Sequence, residues 1–240
     1  MIKVLNSPKD LARAAAEHFV ARSSEAVAQR ELFTVALSGG STPKILFELL
    51  ADPNEPFRDR IPWSRIHFFW SDERHVPPDH PESNYRMANE ALLSHVPITQ
   101  SNVHRVPSEN PDAAAAAAEY ERTVVEITGQ SLPQLDLILL GLGSDGHTAS
   151  IFPGSHVLHE TERLIAAPWV EKLQTYRITM TLPLLNKGAS VVFLVSGSEK
   201  TKIVKEIFEG SETFPAQAIE PANGELLWML DEDAAGAVRR

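Results

Sequence analysis

The chain has 240 residues, 43% of them hydrophobic, with 32 acidic against 22 basic side chains and a formal net charge of −10. That length suits one large α/β domain or two small ones, and the acidic balance argues against general nucleic-acid binding, which needs a basic footprint. The lack of cysteine excludes disulfides, thiolate zinc sites and cysteine nucleophiles. No run approaches the ~18 apolar residues of a membrane span, and Met1–Pro8 lacks the apolar stretch of a secretory leader. The expected setting is therefore cytoplasmic, with no membrane partner.

In chain order, Ser7-Pro8-Lys9-Asp10 is a capping signal that predicts a helix to about Ala28. Leu32–Leu37 reads as a strand ending at Ser38-Gly39-Gly40-Ser41-Thr42-Pro43, where Thr42 before Pro43 predicts a cap and a helix to about Leu50. Arg65–Trp70 is the next strand. The charged run Asp72-Glu73-Arg74 and the Pro- and His-containing segment Val76–Glu82 read as loop, followed by a helix over about Ser83–Leu93. Asn102–Val106 is expected as a short strand. Asn110-Pro111-Asp112 then opens a helix through the alanine run Ala113–Ala118, with Tyr120, Val124 and Ile127 continuing its apolar stripe and Gly129 as C-cap.

Leu135–Leu140 is a nearly unbroken apolar run, the pattern of a strand buried on both faces. Further strands are expected at Leu164–Pro168, Tyr176–Thr181, Ser190–Ser196 and Leu226–Leu230, with a helix over Ser198–Phe208. Strands alternating with helices predict a single three-layer α/β/α Rossmann-like domain over residues 1–240, built on a mostly parallel sheet.

Three strand ends carry unusual residues, on the edge where open α/β sheets bind ligands. Ser38–Thr42 combines hydroxyls, glycines and a helix N-terminus, a ready anion site; a capped turn with Gly40 at positive φ is the plainer alternative. Arg74 suits bidentate phosphate recognition, although a charged run is commonly a solvated loop. Asp145-Gly146-His147 sets one acid and one of nine histidines on a glycine turn just past the 135–140 strand. Histidine titrates near neutrality and can take a proton from water and return it, with Asp145 available to fix its tautomer.

Arg177 within an apolar strand wants an anionic partner, and Lys200 at a helix start opposes the macrodipole unless an anion offsets it. The Gly141-x-Gly143-x-x-Gly146 pattern formally matches a dinucleotide fingerprint. Pro153, however, interrupts the long helix that such a fingerprint must open. Asp72, His75, Asp79 and His80 lack a defined ligand spacing, so no metal is expected. There is no Gly-x-Ser-x-Gly elbow, which leaves water as the economical nucleophile. Trp63, Trp70, Trp169 and Trp228 read as core packing.

Taken together, these residues resemble the 6-phosphogluconolactonase family. The matching pieces are Ser38–Pro43, Ser71-Asp72-Glu73-Arg74, Asp79–Asn84, Gly141–Ser150, Pro153-Gly154, and Arg177–Thr181 with Lys200, spread in order from about Val35 to Lys205. The resemblance implies hydrolysis of 6-phospho-D-glucono-1,5-lactone to 6-phosphogluconate in the oxidative pentose phosphate pathway, without metal or cofactor. By position, His147 would be the general base. Ser38, Gly39, Gly40, Ser41, Thr42, Arg74, Arg177 and Lys200 would hold the phosphate or neighbouring oxygens.

The related glucosamine-6-phosphate isomerase/deaminase family shares similar turns. It is expected to carry a catalytic Glu five residues past the histidine and Asp-Glu-Tyr at the second strand end. This chain has Phe152 and Arg74 at those places. A non-catalytic sugar-phosphate sensor is the third reading, though residues 1–30 offer a single helix with no helix-turn-helix companion. No interface pattern stands out, and a monomer is the default expectation.

Overall fold

The computed structural model describes residues 1–210, 212–236 and 238. In chain order the elements are β1 (Ile2–Leu5), α1 (Pro8–Arg30), β2 (Phe33–Leu37), α2 (Ser41–Ala51), β3 (Ile66–Trp70), β4 (Asp72–Arg74), α3 (Asn84–Ala91), α4 (Ala113–Thr128) and β5 (Leu137–Leu140). There follow β6 (Ile165–Ala166), β7 (Trp169–Val170), β8 (Thr175–Met180), α5 (Leu182–Leu185), β9 (Ser190–Val195), α6 (Thr201–Glu209), β10 (Glu225–Asp231) and α7 (Glu232–Ala235).

Six strands form the main sheet in the order β1-β10-β9-β5-β2-β3, and each adjacent pair is parallel. With its flanking helices this is the α/β fold expected. β2, β5 and β9 are buried along their whole length, as strands in the middle of a helix-covered parallel sheet must be. A smaller antiparallel sheet, β4-β8-β6 with β7 paired to β8, was not anticipated.

Helix boundaries follow local chemistry. Ser7 caps α1 by accepting from Asp10 N. Asp112 caps α4 through Ala114 N and Ala115 N, and Gly129 closes it in the left-handed region. Several expectations are corrected, among them Trp169, read as core packing but 45% exposed. The cap of α2 is Gly40, at φ 103° and without a side-chain bond, because the glycine turn reaches helical geometry before Thr42. Asn102–Val106 is not a strand; a short turn over Gln100–Asn102 leads into a single bridge from Val103 to Phe68. Ile127 is 37% exposed, so the stripe of α4 ends at Val124.

The order of the strands places the ligand crevice. From β2 the chain steps to β3 on one side, whereas β5 lies on the other. That reversal lies beside the turns leaving β2 and β5, a topological switch point in an open parallel sheet.

Candidate active site

A cleft of about 410 Å³ opens at this switch point, lined from both sheets. Ser38, Gly39 and Gly40 enter from the end of β2, and Gly141, Leu142, Gly143 and His147 from the turn after β5. Asp72 and Arg74 come from β4, Arg177 from β8, and Lys200 from the turn before α6. Ser41, Thr42 and Asp145 are not among the lining residues, and Asp145 reaches the cleft only through its bond to His147. Ser41 is the first residue of α2 and exposed, and Thr42 is half-buried beside it. A larger groove between α2 and α3 is lined by Lys44, Glu48, Arg58, Arg86 and Glu90 and contains none of the predicted residues.

His147 is held on several sides. Its Nδ1 lies 2.5 Å from Asp145 Oδ1, and Asp145 Oδ2 is bonded by the Lys172 ammonium. Burial disfavours the charged form of Asp145. The hydrogen bonds from Lys172 and His147 outweigh that and hold its carboxyl well below the usual carboxylate range. An ionised Asp145 can only accept, so Nδ1 carries the hydrogen and Nε2 keeps the lone pair when the ring is neutral. The Phe152 ring stacks on the imidazole at 4.3 Å between centroids. The turn closes through Gly143 N to His147 O (2.8 Å) and Gly146 N to Gly143 O (3.0 Å). A Cβ on Gly143 would overlap the His147 ring, so this glycine is required by close approach. Ala149, at φ 46°, is a non-glycine residue in the left-handed region on the cleft wall, a conformation that concentrates at functional sites.

The β4–β8 wall of the cleft is cationic. Arg74 and Arg177 are direct cross-strand partners. Arg74 donates to Glu82 O at 2.8 Å, whereas Arg177 makes no side-chain hydrogen bond or ion pair among the described residues. Burial first, and then the neighbouring Arg74 charge, push the Arg177 guanidinium down. An anion bound between two such cations would offset both the repulsion and the lost hydration.

Beneath this wall runs a buried polar network. Asp72 Oδ2 accepts from Ser150 Oγ at 2.6 Å, and Asn84 Nδ2 donates to Asp72 O at 2.9 Å. The Glu73 carboxylate accepts from Arg74 N, Ser83 Oγ, Asn84 N and Tyr85 N, which ties the start of α3 to β4. Burial raises the pKa of Glu73 against those donors. The residues Asp72-Glu73-Arg74 are therefore strand, not a solvated loop. Of the residues considered as metal ligands, His75 bonds Asn110 O, His80 accepts from Glu82 N, and Asp72 belongs to the network. Among the described residues no three metal-ligating side chains converge. Nor is any helix long and apolar enough to cross a membrane.

Sequence reasoning missed Asp72, Asn84, Ser150, Phe152, Lys172 and Leu173 as cleft residues. Asp72 and Asn84 sat within quoted motifs, so their spacing to Arg74 was the available signal. Lys172 and Leu173 stand on the turn between β7 and β8 and had none.

The whole pattern has close relatives. The family model for glucosamine-6-phosphate isomerases/6-phosphogluconolactonase matches residues 6–228. The chain is 44% identical over 224 residues to the 6-phosphogluconolactonase of Synechocystis, covering 91% of this chain and 90% of that one. The structure of 6-phosphogluconolactonase from Trypanosoma cruzi superposes with a TM-score of 0.86 at 30% identity, covering 100% of this chain and 97% of that one. A monomeric glucosamine-6-phosphate deaminase shares the fold alone, with a TM-score of 0.80 at 20% identity and 98% of each chain covered. The chain belongs to the glucosamine-6-phosphate isomerase/6-phosphogluconolactonase family.

Proposed function

We propose that this protein hydrolyses 6-phospho-D-glucono-1,5-lactone to 6-phosphogluconate, with His147 as the general base. The observation that carries the reading is the bond from His147 Nδ1 to an ionised Asp145, in a cleft whose other wall bears Arg74, Arg177 and Lys200. In this reading Nε2 takes a proton from water as its oxygen bonds to the lactone carbonyl carbon. The ring C–O bond then breaks and Nε2–H returns the proton to the departing oxygen. The product carboxylic acid ionises and releases one proton. Arg74, Arg177 and Lys200, with Ser38, Gly39 and Gly40, hold the phosphate, and this remote binding energy orients the carbonyl. Ser41 and Thr42 contribute through their backbone at the α2 N-terminus rather than through their side chains. Because both sheets supply cleft residues, the activity is assigned to one catalytic unit formed by the whole chain.

Phe152 favours hydrolysis over deamination. It stands five residues past His147, where the deaminase pattern places a Glu, and its ring stacks on the imidazole without offering a group that moves protons. Proton release from freshly generated lactone tests the reading, with wild type compared against His147→Ala and an enzyme-free blank. The expected result is rapid wild-type turnover that falls at least ~10²-fold in the variant. A folded wild type that fails to exceed the blank overturns it, and glucosamine 6-phosphate deamination and sugar-phosphate binding are then measured.

A further inference from the structure

Lys172 lies on the turn Glu171–Leu173 between β7 and β8, 25 residues beyond the Asp145–His147 turn in sequence, yet it touches both supports of the histidine. Its ammonium bonds Asp145 Oδ2 while His147 Nδ1 holds Oδ1, and it lies 4.6 Å from the centroid of the Phe152 ring that stacks on His147. One cation therefore grips the carboxylate on the edge of the imidazole and the aromatic ring on its face.

The turn that carries Lys172 is itself braced. Trp169 Nε1 donates to Glu171 Oε2 at 2.8 Å. Gln174 donates its side-chain amide to Glu171 O at 2.8 Å and Oε1 at 2.9 Å, and closes the turn in the left-handed region at φ 50°. Glu171 thus has its own partners, and the Lys172 ammonium is directed to Asp145. The Lys172 side chain is 52% exposed, so it contributes little to the core.

We propose that Lys172 is a positioning residue for His147, clamping Asp145 and Phe152 around the imidazole. The inference rests on the reading of His147 as the base. It gives Lys172, which also lines the cleft, a role distinct from the anion binding proposed for Arg74, Arg177 and Lys200. Removing the ammonium has two effects. Asp145 gains rotational freedom, so the imidazole is less well aimed. The carboxylate charge is also no longer partly cancelled, so it favours the imidazolium more strongly. The other charged groups lining the cleft, namely Asp72, Arg74, Arg177 and Lys200, are unchanged by the substitution.

The test compares wild type, Lys172→Met and Lys172→Arg. In Lys172→Met, kcat for lactone opening is expected to fall about tenfold with KM within about twofold. The acid limb of the kcat/KM–pH profile should move to higher pH by on the order of half a unit. Lys172→Arg should recover most of both. An NMR titration of the His147 ring in the ligand-free protein reads the same shift without turnover, and so decides the inference even if the lactone is not the substrate. An unmoved ring titration in Lys172→Met overturns the proposal. So does a raised KM with kcat intact, which would make Lys172 a substrate ligand.

Discussion

Arg74 and Arg177 stand directly opposite one another across the β4–β8 ladder, two like charges fixed by backbone pairing on one wall of the cleft. Directly opposed like charges destabilise an antiparallel pair by a few tenths to about 1 kcal/mol. In the proposed function a bound dianion offsets that cost. Arg177→Gln is therefore expected to leave ligand-free stability unchanged or raise it by up to roughly 1 kcal/mol, while KM for the lactone rises about tenfold or more. Urea unfolding without ligand, set beside steady-state kinetics, measures both. An unchanged KM would remove Arg177 from the anion site.

Gly143 is constrained by what it faces. Its φ lies outside the left-handed region, so alanine costs no backbone strain there, but the added methyl meets the His147 ring. Gly143→Ala should fold with a melting temperature close to wild type. Its kcat should drop at least about tenfold, because the imidazole must swing away from Asp145. Full activity in the alanine variant would show that the histidine position is not critical.

His67, on the outer strand β3, pairs with His104, on the segment that bonds the edge of β3 through His104 N to Phe68 O; neither lines the cleft. Their rings approach with Nδ1 of His67 3.0 Å from Nε2 of His104, and His104 also stacks on Phe69. Burial, and then the neighbouring His67, push His104 down to about 4; burial also lowers His67. His104 takes up its proton near pH 6.5 in the unfolded chain and only near 4 in the folded one, so unfolding binds a proton in that window, and His67 adds to the effect in the same direction. Stability is thus complete above about pH 6.5 and is lost as pH falls through 4. His104→Gln should flatten the fall in unfolding free energy, read from urea denaturation between those pH values, by on the order of 1 kcal/mol after allowance for solvent screening. Parallel curves for variant and wild type would refute this.

The parts of the fold set by local chemistry were legible. The apolar run ending at Leu140, the caps at Ser7 and Asp112, and the closing Gly129 all depend on neighbours in sequence, and each lies where expected. The same holds for the strand-end turns, since the carboxyl end of a buried parallel strand is itself a positional statement. What escaped depends on long-range partners. Glu73 is a strand residue because Ser83, Asn84 and Tyr85 satisfy its carboxylate, a fact no window of residues around it contains. Val103 makes one bridge and stops, because the edge of β3 is met at a single point. Lys172 resembles any surface lysine until the β7–β8 turn is folded onto Asp145.

Gly39 and Asn84 lie 45 positions apart and share one small volume. A Cβ at 39 would strike the amide of Asn84, and that amide is pinned to Asp72 by its own hydrogen bond. Three segments, the turn after β2, the start of β4 and the start of α3, thus interlock like the wards of a key. A larger side chain at 39 has to be matched by a smaller one at 84, which would in turn free the Asp72 carbonyl. Sites of this kind resist change one residue at a time, so redesign of this part of the cleft has to treat positions 39, 72 and 84 as a single unit.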